Sequence, residues 1–249
     1  MFTRLLVGLD GSPRADSAFE QAVVLGKRFK STIIVAHVRE PGRPAGDAML
    51  ERARERIVAA DLRAETAEEE GEPDLVLAKL AATSDAVLIG RRGVTTKGDA
   101  LGPTVASLIR IAERCVIVCG GLASPMRSCA VAFDGGETSR RALELAVRFA
   151  TIVESTVHVI HASADHTAGL QVVGAAEATL SMQRVSFVTH VEAGKPGEVV
   201  ANVIKRTRCD ALFAGAHMTT PREGRPSAVV VSHAEEILRH TDIPVVIQP

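Results

Sequence analysis

The sequence predicts an α/β protein built as two tandem, open, doubly wound domains, each with a five-stranded parallel sheet. Three observations predict it. Short apolar runs of strand length alternate with amphipathic segments of helical period, which is the signature of a parallel sheet covered on both faces. The whole pattern recurs at a frame shift of 124, the distance from Asp10 to Asp134, and self-similarity at one fixed period marks a duplicated domain. Hydrophobic residues make up 46% and charged residues 24%, a globular balance with enough apolar area for a core and no compositional sign of disorder.

Leu5 to Asp10 reads as a buried parallel strand turning at Asp10-Gly11-Ser12-Pro13, with Ser12 as helix cap and Pro13 at the first helical position. Ala18, Ala22, Val23, Leu25 and Phe29 then fall at helical spacing and predict a helix ending near Lys30. A second strand follows over Ile33–Val38, a second helix over Ala48–Ala60 and a weaker third strand over Leu62–Thr66. Glu68-Glu69-Glu70 reads as a solvated loop face, and Pro73 opens a helix through Leu75, Val76, Leu80 and Ala81. Ala86–Ile89 is a fourth strand ended by Gly90; a helix from about Pro103 to Ala112 and a strand over Cys115–Cys119 complete the first domain, 1–122.

In the second domain, 127–249, Ala132-Phe133-Asp134-Gly135-Gly136 answers Gly8-Leu9-Asp10-Gly11-Ser12. Ser155 to His161 answers Ser31 to His37, Asp210 to Gly215 answers Asp85 to Gly90, and Val245-Val246-Ile247 answers Val116-Ile117-Val118. The two copies join near Gly120 to Arg127.

Ligands of open parallel sheets bind beyond the carboxyl ends of the strands, where the winding switches direction. Asp10, Val38 and Gly90 lie at such ends. After Gly90 come Arg91, Arg92 and Gly93, then a polar loop, then Leu101-Gly102-Pro103-Thr104 at a helix start. Glycines let bare backbone approach a ligand, and a helix N-terminus aims N–H groups and partial positive charge at it. A phosphate is the natural guest, and the two arginines add candidate charge-assisted contacts. Asp10 reads equally well as a helix cap. The second copy breaks the pattern: Met218 replaces Gly93, Val231-Ser232-His233 stands near the Gly102 position, and the loop is four residues longer. The second site is therefore expected to be degenerate.

A net charge of -1 excludes a general electrostatic attraction to nucleic acid or membrane surfaces. No apolar run reaches the roughly 20 residues of a membrane span, and Met1-Phe2-Thr3-Arg4 opens no signal-peptide core, so a cytoplasmic location is expected. Cys115, Cys119, Cys129 and Cys209 lack zinc-ligand spacing and read as buried free thiols. His37 and His161 recur at matching strand ends with no ligand partner recurring beside them, which favours core histidines over metal or catalysis. No GxxxxGK[ST], GxGxxG after the first strand, or GxSxG is present, and no nucleophile–base pair recurs. No catalytic residue and no metal site is assigned.

These residues resemble the universal stress proteins, here as a tandem pair. The resemblance rests on Val7-Gly8-Leu9-Asp10-Gly11-Ser12, on the strand end His37-Val38, on Asp85 to Gly93, and on Leu238 to Val245. It implies a Rossmann-like fold of the adenine nucleotide alpha hydrolase type and, from the pattern Gly90, Gly93, Gly102 of that family's ATP-binding branch, ATP, ADP or AMP as a regulatory ligand, with Mg as companion ion. It further implies that Gly8, Asp10 and Val38 hold the adenosine part with Ile89 against the base, and that Gly90, Gly93 and Gly102 approach the phosphates; Arg92, from the loop, and Pro103 and Thr104, at the helix start, complete the candidate site. Two departures stand out: the spacer Val94–Leu101 is eight residues instead of the family's nine, and Gly102 is followed by Pro103, with Thr104 one place later. Proline has no N–H to give a phosphate. The resemblance also implies pairing of the two domains in place of a homodimer of single domains, with a homodimer of tandem chains as a further option. Rival readings are a nucleotide-free interaction module with a lapsed site and a slow ATPase.

Overall fold

In a computed structural model, residues 1–39, 46–93, 101–216 and 233–249 are described. Among them ten strands and eight helices alternate. Contacts divide the chain into two units, Met1–Pro125 with Asp242–Val246, and Met126–Thr241 with Ile247–Pro249.

The first unit runs β1 (Arg4–Leu9), α1 (Pro13–Phe29), β2 (Thr32–Arg39), α2 (Asp47–Ala59), β3 (Arg63–Glu70), α3 (Pro73–Ala81), β4 (Ala86–Gly90), α4 (Pro103–Ile111) and β5 (Cys115–Cys119). Its strand order is β3-β2-β1-β4-β5, with every described pairing parallel. The winding reverses between β1 and β4, so the ends of these two strands form the switch point. β4 and β5 are buried at every position, as strands covered on both faces must be.

The second unit repeats the plan with β6 (Cys129–Ala132), α5 (Glu137–Val153), β7 (Val157–Ala162), α6 (His166–Met182), β8 (Phe187–Glu192), α7 (Pro196–Thr207), β9 (Ala211–Gly215), α8 (His233–His240) and β10 (Val245–Gln248). Strands β9-β6-β7-β8 are adjacent in that order and parallel. The duplication extends to backbone conformation. Positive φ angles recur in register at Phe2 and Met126 (53° and 50°), Gly11 and Gly135 (79° and 80°), Lys30 and Glu154 (56° and 54°), and Gly71 and Gly194 (149° and 146°). Lys30 and Glu154 both end a helix in the left-handed conformation. Opposite charges serve there because the backbone N–H, not the side chain, satisfies the helix carbonyl.

Core identities trade places between the copies. Phe19 is fully buried in the first unit, and Phe149 and Phe213 pack at 5.6 Å in the second, where the repeat places Leu25 and Leu88 in the first. At the opposite end of the sheet, Asp85 Oδ2 accepts from Thr3 N–H (2.5 Å), Thr3 Oγ1 (2.8 Å) and Arg4 N–H (3.0 Å). Asp210 Oδ1 does the same for Ser128 N–H at 2.7 Å. Each aspartate thus fastens the start of one strand to its neighbour.

The third strand departs from the sequence reading. It runs to Glu70 rather than stopping at Thr66, so Glu68 to Glu70 is strand and not loop. It extends because β2 offers eight residues of register, Thr32↔Arg63 through Arg39↔Glu70, and because the acids find partners: Glu68 takes Gly46 N–H at 2.7 Å, Glu70 takes Arg39 at 2.7 Å and Glu65 takes Arg4 at 2.8 Å. A charged outer strand also discourages pairing with another chain. All four cysteines are free and buried, as expected; burial pushes Cys115 and Cys119 up to about 12, which leaves them inert thiols.

Candidate nucleotide site

The site is assembled at the carboxyl ends of β1 and β4. Past Leu9, Gly11 takes a φ of 79°, and Asp10 Oδ1 accepts from Ser12 N–H at 2.9 Å. Ser12 in turn caps α1 by accepting from Ala15 N–H at 3.1 Å, so the sharp turn and the helix start fix each other. This places the Asp10 carboxylate at the edge. Asp10 is a turn-forming residue and a candidate ribose contact at once.

Gly90 ends β4 directly under the first turn of α1. A Cβ there would lie 2.5 Å from the Arg14 carbonyl carbon and 2.7 Å from Ala15 N, so only glycine fits. The second unit has the same constraint, since a Cβ on Gly215 would lie 2.5 Å from the Thr138 carbonyl carbon and 2.7 Å from Ser139 N. Gly90 is therefore demanded by helix packing, whatever else it does. Gly93 differs: among the described residues its Cβ would meet only Asp10, with Oδ2 at 2.8 Å. The backbone of Gly93 and the carboxylate of Asp10 thus come so close that any side chain at Gly93 would press on the carboxylate.

Gly102 is the N-cap of α4 with φ −63° and ψ 142°, angles open to any residue. Its N–H donates to the Arg91 carbonyl at 3.0 Å. With Pro103 at the first helical position, the first-turn donors of α4 begin at Thr104. Thr104 is half-buried and Pro103 exposed.

Arg91 does not face the site. Its N–H donates to the Cys119 carbonyl at 2.8 Å, and its guanidinium, with the side chain only 7% exposed, donates from Nη1 to Asp242 Oδ1 at 3.0 Å. It braces the glycine loop within the first unit instead of meeting a phosphate. Arg92 is half-buried beside Gly93. Ile89 is 8% exposed and packs in β4, and Val38 is half-buried near the end of β2. Gly8 faces α3, where a Cβ would approach Leu77 Cδ1 at 3.2 Å. Residues 94–100, most of the spacer, lie outside the described residues.

The two histidines at strand ends are structural. His37 Nδ1 bonds the Leu9 carbonyl at 2.9 Å and His161 Nδ1 the Phe133 carbonyl at 2.8 Å, the same cross-strand tie in both copies. Among the described residues, no group of three or more His, Cys, Asp or Glu is placed to hold a metal ion. None of the described helices is long and apolar enough to cross a membrane.

In the second unit the counterpart of Asp10, Asp134, takes a side-chain donor from its own helix. Asp134 Oδ1 accepts from Gly136 N–H at 2.8 Å and from the Ser139 hydroxyl at 2.6 Å. The repeat sets Ser139 on Ala15, so one added hydroxyl captures the carboxylate. That lock is visible in the repeat as Ala15 against Ser139, although only the turn geometry gives it meaning. Met218 and Val231 to His233, which mark the second site as degenerate in the sequence, fall on residues whose side chains lie outside the described set.

A model of the universal stress protein family matches residues 1–120 and again 126–249. The chain belongs to the universal stress protein family, as a tandem of two domains. Among solved structures, a universal stress protein from Archaeoglobus fulgidus DSM 4304 is similar at 20% identity and a TM-score of 0.77, covering 100% of this chain and 98% of its own. A functionally unknown protein from Pseudomonas aeruginosa PAO1 is similar at 17% identity and a TM-score of 0.75, over 99% of this chain and 92% of that one. At these identities the likeness is one of fold, and it spans both copies. A universal stress protein solved in complex with cAMP matches 49% of this chain and 98% of its own at 27% identity, with a TM-score of 0.42. No curated protein matches the chain at a significant level.

Proposed function

We propose that this universal stress protein binds ATP or a related adenine nucleotide in its first domain, residues 1–122, as a regulatory ligand in a cytoplasmic stress response, while the second domain, 127–249, keeps the fold without the site. The observation that carries the reading is the close approach of Gly93 to Asp10 Oδ2, which a Cβ would meet at 2.8 Å. Packing against the described residues explains Gly90 but not Gly93, and the second copy puts Met218 at the matching place. The residues present fit an adenine nucleotide: a carboxylate to accept from ribose hydroxyls, the apolar Val38 and Ile89 toward the base, and Thr104 with the first turn of α4 toward phosphate. When bound, the nucleotide supplies a charged phosphate that this edge of the sheet can hold; the chain's own part is to orient and retain it. Any Mg2+ would arrive on the phosphates.

Titration of the full chain with labelled ATP and AMP tests the reading, with Gly93→Met as the control. Saturable binding that Gly93→Met removes is expected. No saturation up to about 1 mM, a binding free energy weaker than about 4 kcal/mol, overturns it. One observation favours the second reading, a nucleotide-free interaction module: the Gly102 N–H is used by Arg91 and Pro103 has none to offer. Purified protein that releases no adenine on denaturation and shows no thermal shift with ATP and magnesium would support that alternative.

A further inference from the structure

Two histidines meet across the outer strand pair of the second unit. His158 lies on β7 and His190 on β8, with Nδ1 of the first 3.1 Å from Nε2 of the second and the rings stacked 20° from parallel at 5.4 Å. The register sets Ile160 beside His190 and His158 beside Val188, so both imidazoles rise from one face of the sheet. Glu192, two residues farther along that face, pairs with Arg206 of α7; these are the charged groups facing the pair. On the other face α6 carries His166 and Glu177, the latter accepting from Thr189 Oγ1 at 3.0 Å, and β6 carries no charge. No third His, Cys, Asp or Glu among the described residues joins the pair to make a metal centre.

The first copy shows that the sheet does not need this pair. There the matching positions are Ile34 and Ala67, since Ala36↔Ala67 is the register that answers Ile160↔His190. The histidines are a feature of the second copy alone. β8 ends its sheet and has no buried residue along its length, so beyond its six-residue ladder to β7 the histidine pair and the Glu192–Arg206 pair are the side-chain ties among the described residues on this face.

We propose that the His158–His190 pair is an acid-sensitive latch, closed while one imidazole donates to the other and released when both are protonated, freeing β8 from β7 in the second unit. The hydrogen bond requires one nitrogen to accept, which a singly protonated pair still allows and a doubly protonated pair does not. Two cations about 3 Å apart also repel. Burial holds both histidines below their ordinary value of 6.5, with His158 and Arg206 lowering His190 further and Glu192 opposing them. A folded-state value below the unfolded one means that the unfolded state takes up protons more readily. The stability contributed by the closed latch is therefore intact above 6.5 and declines as pH falls beneath it. The latch gives the second unit an input of its own, independent of any nucleotide in the first.

Hydrogen exchange of the full chain at pH 7.5 and 5.5, corrected for intrinsic rates, tests this. Residues 157–162 and 187–192 should lose about tenfold in protection on acidification, the change that follows when a protonation equilibrium linked to opening moves by one decade, while 32–39 and 63–70 hold theirs. The double variant His158→Ile, His190→Ala, which installs the first copy's residues, should abolish the difference. An unchanged acid response in that variant, or none in the wild type, overturns the proposal. Should the variant fail to fold, NMR titration of the imidazoles in the wild type decides: two coupled steps support the latch, and two independent titrations near 6.5 overturn it.

Discussion

Gly90 and Gly93 share one short loop, yet they are glycine for different reasons, and their variants should separate. Gly90→Ala drives a Cβ into backbone at 2.5 Å and should cost about 1–3 kcal/mol through overpacking; Gly215→Ala should behave alike. Gly93→Ala meets, among the described residues, only a movable carboxylate oxygen, so its urea midpoint should shift far less while nucleotide binding weakens. Equal destabilisation by Gly90→Ala and Gly93→Ala would mean that both glycines serve packing alone. Pro103 supplies the opposite experiment. Pro103→Ser restores an N–H at the first helical position, and a hydrogen bond to a charged group contributes about 1.5 kcal/mol or more. Calorimetry should therefore show ATP binding roughly tenfold tighter; unchanged affinity would place the phosphates elsewhere. Single residues are unevenly legible in the sequence. Ser12 and Pro13 are readable as cap and first turn because that chemistry is local. Arg91 is not, because its partner Asp242 lies 151 residues away and no spacing rule connects them.

Elements show the same division between local and distant causes. The helix starts at Pro13, Pro73 and Pro103 are legible from proline alone, which fits the first helical position and no later one. The third strand looks short in the sequence because Glu68 to Glu70 carries no apolar alternation; its partners Arg39 on β2 and Gly46 ahead of α2 supply the reason for pairing, and they come from other parts of the chain. Asp85 illustrates an element-level bond with a testable pH dependence. Burial alone would raise this carboxyl, but the N–H of Arg4 and the hydroxyl and N–H of Thr3 outweigh it and hold the group below its ordinary value of 3.8. A lowered folded-state value contributes stability that is present above 3.8 and disappears as pH falls through the folded value. Asp85→Asn should therefore flatten the fall in urea midpoint between about pH 5 and pH 2, and cost about 1 kcal/mol at neutral pH. A variant whose acid limb matches the wild type would show that other carboxylates carry it.

At the scale of the whole molecule, the duplication turns one chain into its own control. The fold is legible because each copy interprets the other: a glycine kept in both, as Gly90 and Gly215 are, belongs to the fold, and one kept in a single copy, as Gly93 is, is the one on which the proposed nucleotide site rests. What the repeat does not disclose is how the second copy came to close its turn, since the Ser139 hydroxyl gains meaning only from its 2.6 Å approach to Asp134. The two turns should therefore answer nucleotide differently. A ligand at about one hundred times its dissociation constant stabilises the state it binds by about 2.7 kcal/mol, which is close to a hundredfold in exchange for amides that open only with the bound structure. Exchange of the full chain with and without saturating ATP should accordingly slow residues 8–15, 89–93 and 102–108, and leave 132–139 and 211–216 at their unliganded rates. Protection appearing at both turns would show that Ser139 does not lock Asp134. Protection at the second turn alone would reverse the assignment of the site, because the carboxylate held by its own helix would then be the one that binds.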